Sequence, residues 1–293
     1  MEVKENTISP TKRYFLRINA LAEKDPQLGV LKPIEKIRTI ALNNDLTYDQ
    51  VIAGFLDGYA NRPAVGTRTY EIVKDITTGK NRRNYLANYS MISYQAFHQR
   101  IKGLAMAWRH HPHCRVQPTD FVCTIGFSSV DFAVIDFACA YARAVSVPLQ
   151  SSTSGADLGE IFSNVQPVVL ATTLVDLPIA VEHAIQQTSI KSVIVFNYDE
   201  RVEAEKEVVE KAKKSLTTTN IQLLTLNELI DFGQQYEFSF LPKAEGDLDK
   251  MAAILHSSGS TGKPKRAVIS ARALCNNWLP RPSALELCLE LLS

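Results

Sequence analysis

The chain has 293 residues, 45% of them apolar, enough to fill the core of one large or two ordinary domains. Its 32 lysines and arginines against 31 aspartates and glutamates leave a net charge of +1, which gives no field to draw in nucleic acid or an anionic membrane. The N-terminal MEVKENTISPTKRYF lacks the apolar stretch of a secretory signal, and Asp136 and Arg143 interrupt the richest later run, so neither export nor a membrane span is expected.

Five cysteines, Cys114, Cys123, Cys139, Cys275 and Cys288, are scattered without a Cys-x-x-Cys pair, as suits reduced thiols in a cytoplasmic protein. Tyr14, Leu16, Ile18, Leu21 and Ala22 recur mostly at threes and fours, and so do Tyr48, Val51, Ile52, Phe55, Leu56 and Tyr59. That spacing predicts a helical N-terminal extension over residues 1–65. Residues 66–90 read as a hairpin turned at Thr77-Thr78-Gly79-Lys80-Asn81.

From Ser93 onward helices and apolar strands alternate. Helices are predicted over 93–109, 130–143, 157–164, 178–187, 203–214 and 226–232, and strands over 121–125, 145–149, 168–172, 192–196, 221–224 and 251–257. Such alternation predicts an α/β fold with a mostly parallel sheet covered on both faces. Ligands in these folds sit beyond the carboxyl ends of the strands.

LHSSGSTGKPKRAVIS, residues 255–270, lies at one of those ends. Gly259 and Gly262 allow backbone N–H groups to approach an anion, Ser258, Ser260 and Thr261 add hydroxyl donors, and Lys263 and Lys265 bring charge. The loop is a phosphate grip, but not the Walker type, which needs four residues between its glycines and then Gly-Lys-Ser/Thr. Pro264 also disfavours a helix at Lys263, so residues 267–269 are predicted as a return strand.

Other residues read as structural. His110, His111, His113 and Cys114 crowd a turn made by Pro112, and no metal site is assigned to them. Ser128 and Asp131 resemble a helix N-cap with an acidic first turn, 203–214 a solvated helix, and His256 a satisfied strand-end histidine.

Ser257-Ser258-Gly259-Ser260-Thr261-Gly262-Lys263-Pro264-Lys265 resembles the phosphate-loop signature of the adenylate-forming enzymes. DGYANRPAVGTR (57–68), AMAWRHHPHCRVQPTDFV (105–122) and GFSSVDFAVIDFACAYARAVSVPLQSS (126–152) are similar to the adenylation domain of carboxylic acid reductases. LRINALAEKDPQL (16–28) is similar to the helical N-terminal extension of that group. The resemblance runs from about Arg13 to Ser270; it implies a partial adenylation domain over 66–270, followed by a divergent tail over 271–293.

What the resemblance implies is activation of a carboxylic acid with ATP and Mg2+ to acyl-AMP and pyrophosphate. Transfer to a phosphopantetheine thiol and NADPH reduction to an aldehyde would follow in the full-length parent. Ser257, Ser258, Gly259, Ser260, Thr261, Gly262 and Lys263 are then nucleotide-binding, and Lys265 binds and acts on the leaving pyrophosphate. Arg266 and Arg143 stand where the family has glycine. Its later segments, with the aromatic-Gly-x-Thr-Glu motif, the ribose aspartate and the catalytic lysine, have no counterpart in the chain. A C-terminally truncated domain is therefore expected, with a catalytically inactive remnant that binds nucleotide weakly, or serves only as an interaction module, as the alternative.

Overall fold

The computed structural model describes residues 10–25, 35–43, 45–257 and 265–278. Among the described residues the two spaced runs lie in α1 (Pro10–Lys24) and α3 (Tyr48–Gly58), with α2 (Glu35–Leu42) between them. Val51, Ile52 and Leu56 of α3 are fully buried, whereas Leu16, Ile18 and Leu21 of α1 stay about half exposed. Helix α2 lies inside the stretch expected to be helical, though not in either spaced run; it packs on α3, where Ile40 covers Gly54.

A two-stranded antiparallel ribbon follows, β1 (Pro63–Lys74) and β2 (Asn81–Ser93). Its turn is closed by Asp75, whose Oδ1 accepts the N–H groups of Thr77 and Thr78, and by Gly79 at φ 67.

Next come α4 (Tyr94–His110), β3 (Phe121–Ile125), α5 (Val130–Ala142), β4 (Val145–Leu149), α6 (Gly155–Val165), β5 (Val169–Thr173) and α7 (Leu177–Gln186). After them stand β6 (Ser192–Phe196), α8 (Glu203–Leu216), β7 (Gln222–Thr225), α9 (Leu226–Gly233), a 3-10 turn (Asp247–Asp249), β8 (Met251–Ser257), β9 (Lys265–Ser270) and α10 (Ala271–Trp278). The ribbon docks on α8 through Arg83 and Glu205, 2.6 Å apart, and Tyr70 Oη donates to Asp199 Oδ2 at 2.8 Å in the preceding loop.

The main sheet has seven strands in the order β7-β6-β5-β3-β4-β8-β9, parallel except for β9, which returns antiparallel along β8. Right-handed crossovers decide which face each helix covers. The step from β3 to β4 and the return from β7 to β8 run one way, and they place α5 and α9 on one face. The steps from β4 through β7 run the other way and place α6, α7 and α8 on the second.

Two cores result. The first holds Leu56, Trp108, Ile135, Tyr141 and Phe196, and the second Leu158, Phe162, Val193 and Leu216. Helices α4 and α9 approach so closely that a Cβ on Gly233 would overlap the carbonyl oxygen of Gly103. The expected α/β fold with a mostly parallel sheet is the observed one.

Two details differ from the sequence reading. Helix α5 stops at Ala142, because Arg143 takes the left-handed conformation (φ 52, ψ 31) as its C-cap. The N-cap of α5 is Ser129 rather than Ser128: Ser129 Oγ accepts the N–H of Phe132, while Asp131 accepts from Arg100 and from Asn197 N. Among the described residues no helix is long and apolar enough to cross a membrane.

Candidate functional site

Because β3, β4, β5 and β8 run parallel, their carboxyl ends and the loops that leave them lie at one edge of the sheet. The pair Ser146↔Ala253 sets β8 beside β4, and β9 returns with Ser257 opposite Lys265 and His256 opposite Arg266. The two strands are thus paired as far as Ser257 and Lys265. Of the expected nucleotide-binding residues, Ser257 ends β8, and Lys265 begins β9 with an exposed side chain. Ser258, Gly259, Ser260, Thr261, Gly262 and Lys263 lie outside the described residues.

Cross-strand partners share a face, so His256 and Arg266 lie side by side. Arg266 Nη2 reaches Glu160 Oε1 of α6 at 3.1 Å, tying the strand that leaves the loop to that helix. His256 is not the satisfied histidine expected: neither ring nitrogen has a hydrogen-bond partner among the described residues. Burial first, and then the Arg266 charge, lower its pKa, so the ring is held neutral.

One cluster at the same edge was not visible in the sequence. Asp176, at the N-cap of α7, does not cap that helix; its Oδ2 accepts from Ser151 Oγ at 2.7 Å and Thr173 Oγ1 at 2.8 Å. It thereby ties together the chain after β4 and the end of β5. The Asp-Leu-Pro that opens α7 marks a helix start, but not hydroxyl partners from two other elements. Gly126, at φ 157, follows the end of β3, and Phe127 after it is exposed.

A cavity of about 530 Å³ opens elsewhere, beyond the ends of β6 and β7. Lys206, Glu210, Thr225, Asn227 and Asp231 are among its walls. Three strands separate β6 from β8, a distance of roughly 19 Å at ordinary strand spacing. The cavity is therefore not part of the hairpin site.

The histidine-rich turn is absorbed by packing: His110 stacks on Tyr236 at 4.3 Å, His111 meets the edge of Phe232, and Cys114 accepts from Ser192 Oγ. Among the described residues no group of three His, Cys, Asp or Glu side chains is arranged to hold a metal ion. Cys114, Cys123, Cys139 and Cys275 are buried free thiols; Cys288 lies outside the described residues.

β8 and the antiparallel β9 pair from Met251↔Ser270 to Ser257↔Lys265, beside the parallel strand β4. The family described as AMP-binding enzyme matches residues 74–284. The chain belongs to that family.

A carboxylic acid reductase of Mycobacterium marinum is 33% identical to this chain over 94% of it. The chain spans 23% of that relative's length. The adenylation domain of the carboxylic acid reductase from Segniliparus rugosus, solved with AMP and a co-purified carboxylic acid, superposes with a TM-score of 0.81. It is 30% identical and covers 88% of this chain and 41% of its own. The corresponding domain from Mycobacterium chelonae gives 0.81 at 28% identity, over 95% of this chain and 43% of its own.

The family match runs past Ser270, where the sequence reading placed the start of a divergent tail. Of that stretch, α10 buries Ala271 and Cys275, and Arg272 pairs with Asp249 at 2.7 Å.

Proposed function

We propose that this chain provides the nucleotide-phosphate side of an acid-activating reaction, in which ATP and a carboxylic acid give acyl-AMP and pyrophosphate. In a longer protein the acyl group would pass to a phosphopantetheine thiol and be reduced with NADPH to an aldehyde. The observation that carries the reading is the β8–β9 hairpin, which sets Ser257 opposite Lys265 at the carboxyl edge of the sheet.

ATP supplies the electrophilic α phosphorus and the pyrophosphate leaving group. The chain's part is electrostatic: donors fixed in advance where negative charge grows in the transition state. In this reading Ser257, Ser258, Gly259, Ser260, Thr261, Gly262 and Lys263 bind the β and γ phosphates, and the Lys265 ammonium balances the departing pyrophosphate. Magnesium would be held chiefly by phosphate oxygens and water, its usual habit with nucleotides.

Calorimetry with ATP and ATP–pyrophosphate exchange with a panel of aromatic and aliphatic acids test this. The wild-type chain is expected to bind ATP, and Lys265→Ala to weaken binding about tenfold, or about 1.4 kcal/mol. The unfolding midpoint should stay unchanged, because Lys265 is exposed. ATP binding indifferent to Lys265 would remove that residue from the site, and no ATP binding at all would sink the reading. Binding without exchange for any acid would leave the chain a nucleotide-binding role alone.

A further inference from the structure

Arg143 occupies a backbone position that glycine fills at lower cost, the left-handed C-cap of α5 at φ 52. Its side chain shows what the cost secures. Nη1 donates to Pro242 O at 2.7 Å and to Asp247 Oδ2 at 2.8 Å, and Nη2 donates to Leu241 O at 2.9 Å. All three acceptors belong to the segment that enters β8.

Asp247 is held in turn by Lys250 Nζ at 2.8 Å and by Ala244 N at 2.7 Å. Across from it stands α3. Asp49, in the first turn of that helix, brings its Oδ2 to 3.8 Å from Arg143 Nη2, beyond direct hydrogen-bond range. Asp49 is 2% exposed, and its Oδ2 has no hydrogen-bond partner among the described residues.

A cavity of about 30 Å³ lies here, lined by Thr47, Asp49, Arg143, Asp247 and Lys250 among others. One water needs at least about 10–15 Å³ and two or more polar partners, and this site offers both. Acidic Asp49 and Asp247 face basic Arg143 and Lys250 here, with Arg109 also near Asp49, and the volume is that of one small polar occupant such as water. A second tie runs alongside, from Lys243 Nζ to Asp45 O at 2.7 Å.

We infer that Arg143 joins α3 to the segment entering β8 through a water bridge to Asp49, so that the helix and the segment open as one unit. The inference concerns the chain's own cooperativity and does not depend on nucleotide binding.

Hydrogen exchange on the whole chain tests it, with Arg143→Gly, which suits the backbone and removes the guanidinium. The expected result is exchange faster by about tenfold at Val51 and Ile52 together with Asp247 and Asp249, while β1, β2 and α8 stay unchanged. Acceleration confined to 241–250 would overturn the coupling.

Should Arg143→Gly fail to fold, Asp49→Asn keeps the side-chain size and weakens the bridge from the other side. It is expected to quicken Asp247 and Asp249, on the far side of Arg143; an unchanged rate there overturns the proposal. The bridge itself is read in a high-resolution crystal structure of the wild-type chain. An ordered water bonded to both Asp49 Oδ2 and Arg143 is expected, and a direct Asp49–Arg143 contact in its place refutes it.

Discussion

Strand β5 is registered against β3 over four residue pairs and against β6 over five, and Val169, Leu170 and Ala171 within it have no exposure. At the other end of the same sheet β8 meets β4 at the registered pair Ser146↔Ala253, and β9 beyond it has an exposed first four residues. Leu255 and Val268 there stay 47% and 60% exposed. The centre is thus fixed by long apolar runs buried on both faces. The edge that carries the proposed site is held by a few specific contacts, among them Arg266 to Glu160 and Arg143 to the segment entering β8. Local stability should follow the same division, high in the middle and lower at this edge.

The sharpest way to break that contrast is to damage the centre. A Cβ on Gly233 meets backbone of α4, the carbonyl of Gly103 and the nitrogen of Ala107, which cannot turn aside as a side-chain end can. Gly233→Ala is expected to destabilise the chain by about 3 kcal/mol, the upper end of ordinary overpacking. Urea unfolding measures it, and a loss below about 1 kcal/mol would mean that the two helices are free to separate.

The centre also carries a titrating element. His98 is buried, with Nδ1 2.8 Å from Asp57 Oδ1 and Nε2 2.6 Å from Tyr141 Oη, so the neutral ring donates to the carboxylate and accepts from the phenol. Burial first, then Lys102, lower its pKa, against the opposing pull of Asp57. The folded value therefore lies below the unfolded one, about 6.5. An unfolded chain takes up a proton there that the folded chain refuses. Stability is whole above about pH 6.5 and falls as the pH drops from there toward the folded value, by at most about 1.4 kcal/mol per pH unit for this group. His98→Gln should flatten that slope in pH-dependent unfolding; an unchanged slope would assign the acid sensitivity to other groups, such as His111 and His256, whose values are also lowered.

The same contrast decides what could be read in the sequence. Apolar runs 121–125, 145–149 and 192–196 are strands with those bounds, because burial on both faces leaves an unbroken apolar signature, and 251–257 at the more exposed edge has its expected bounds as well. The α/β order and the hairpin turn at Gly79 follow from equally local signals. What was missed depends on distant partners. Helix α2, eight residues long and in neither spaced run, rests on α3 rather than on its own pattern, and Asp176 finds Ser151 and Thr173 only after three elements converge. That Arg143 stands in place of a glycine is legible, but its acceptors lie about a hundred residues further along the chain. His256 fails in the opposite sense: a strand-end position suggests partners, and the fold supplies none among the described residues.

The smallest expected effect lies at the edge. Arg266 and Glu160 form a surface pair, and such pairs contribute about 0–1 kcal/mol because water already solvates both charges. Arg266→Gly, which restores the residue common in adenylate-forming enzymes, should shift the unfolding midpoint by no more than about 2 °C. Its clearer mark is on His256, where the guanidinium is a like charge that disfavours protonation and adds to the effect of burial. Removing it should raise the His256 pKa toward the ordinary value while leaving it lowered by burial, a change read by NMR titration of the ring. A His256 value that does not move would mean that burial alone holds the ring neutral. A midpoint that falls by many degrees would show instead that the edge is pinned as firmly as the centre.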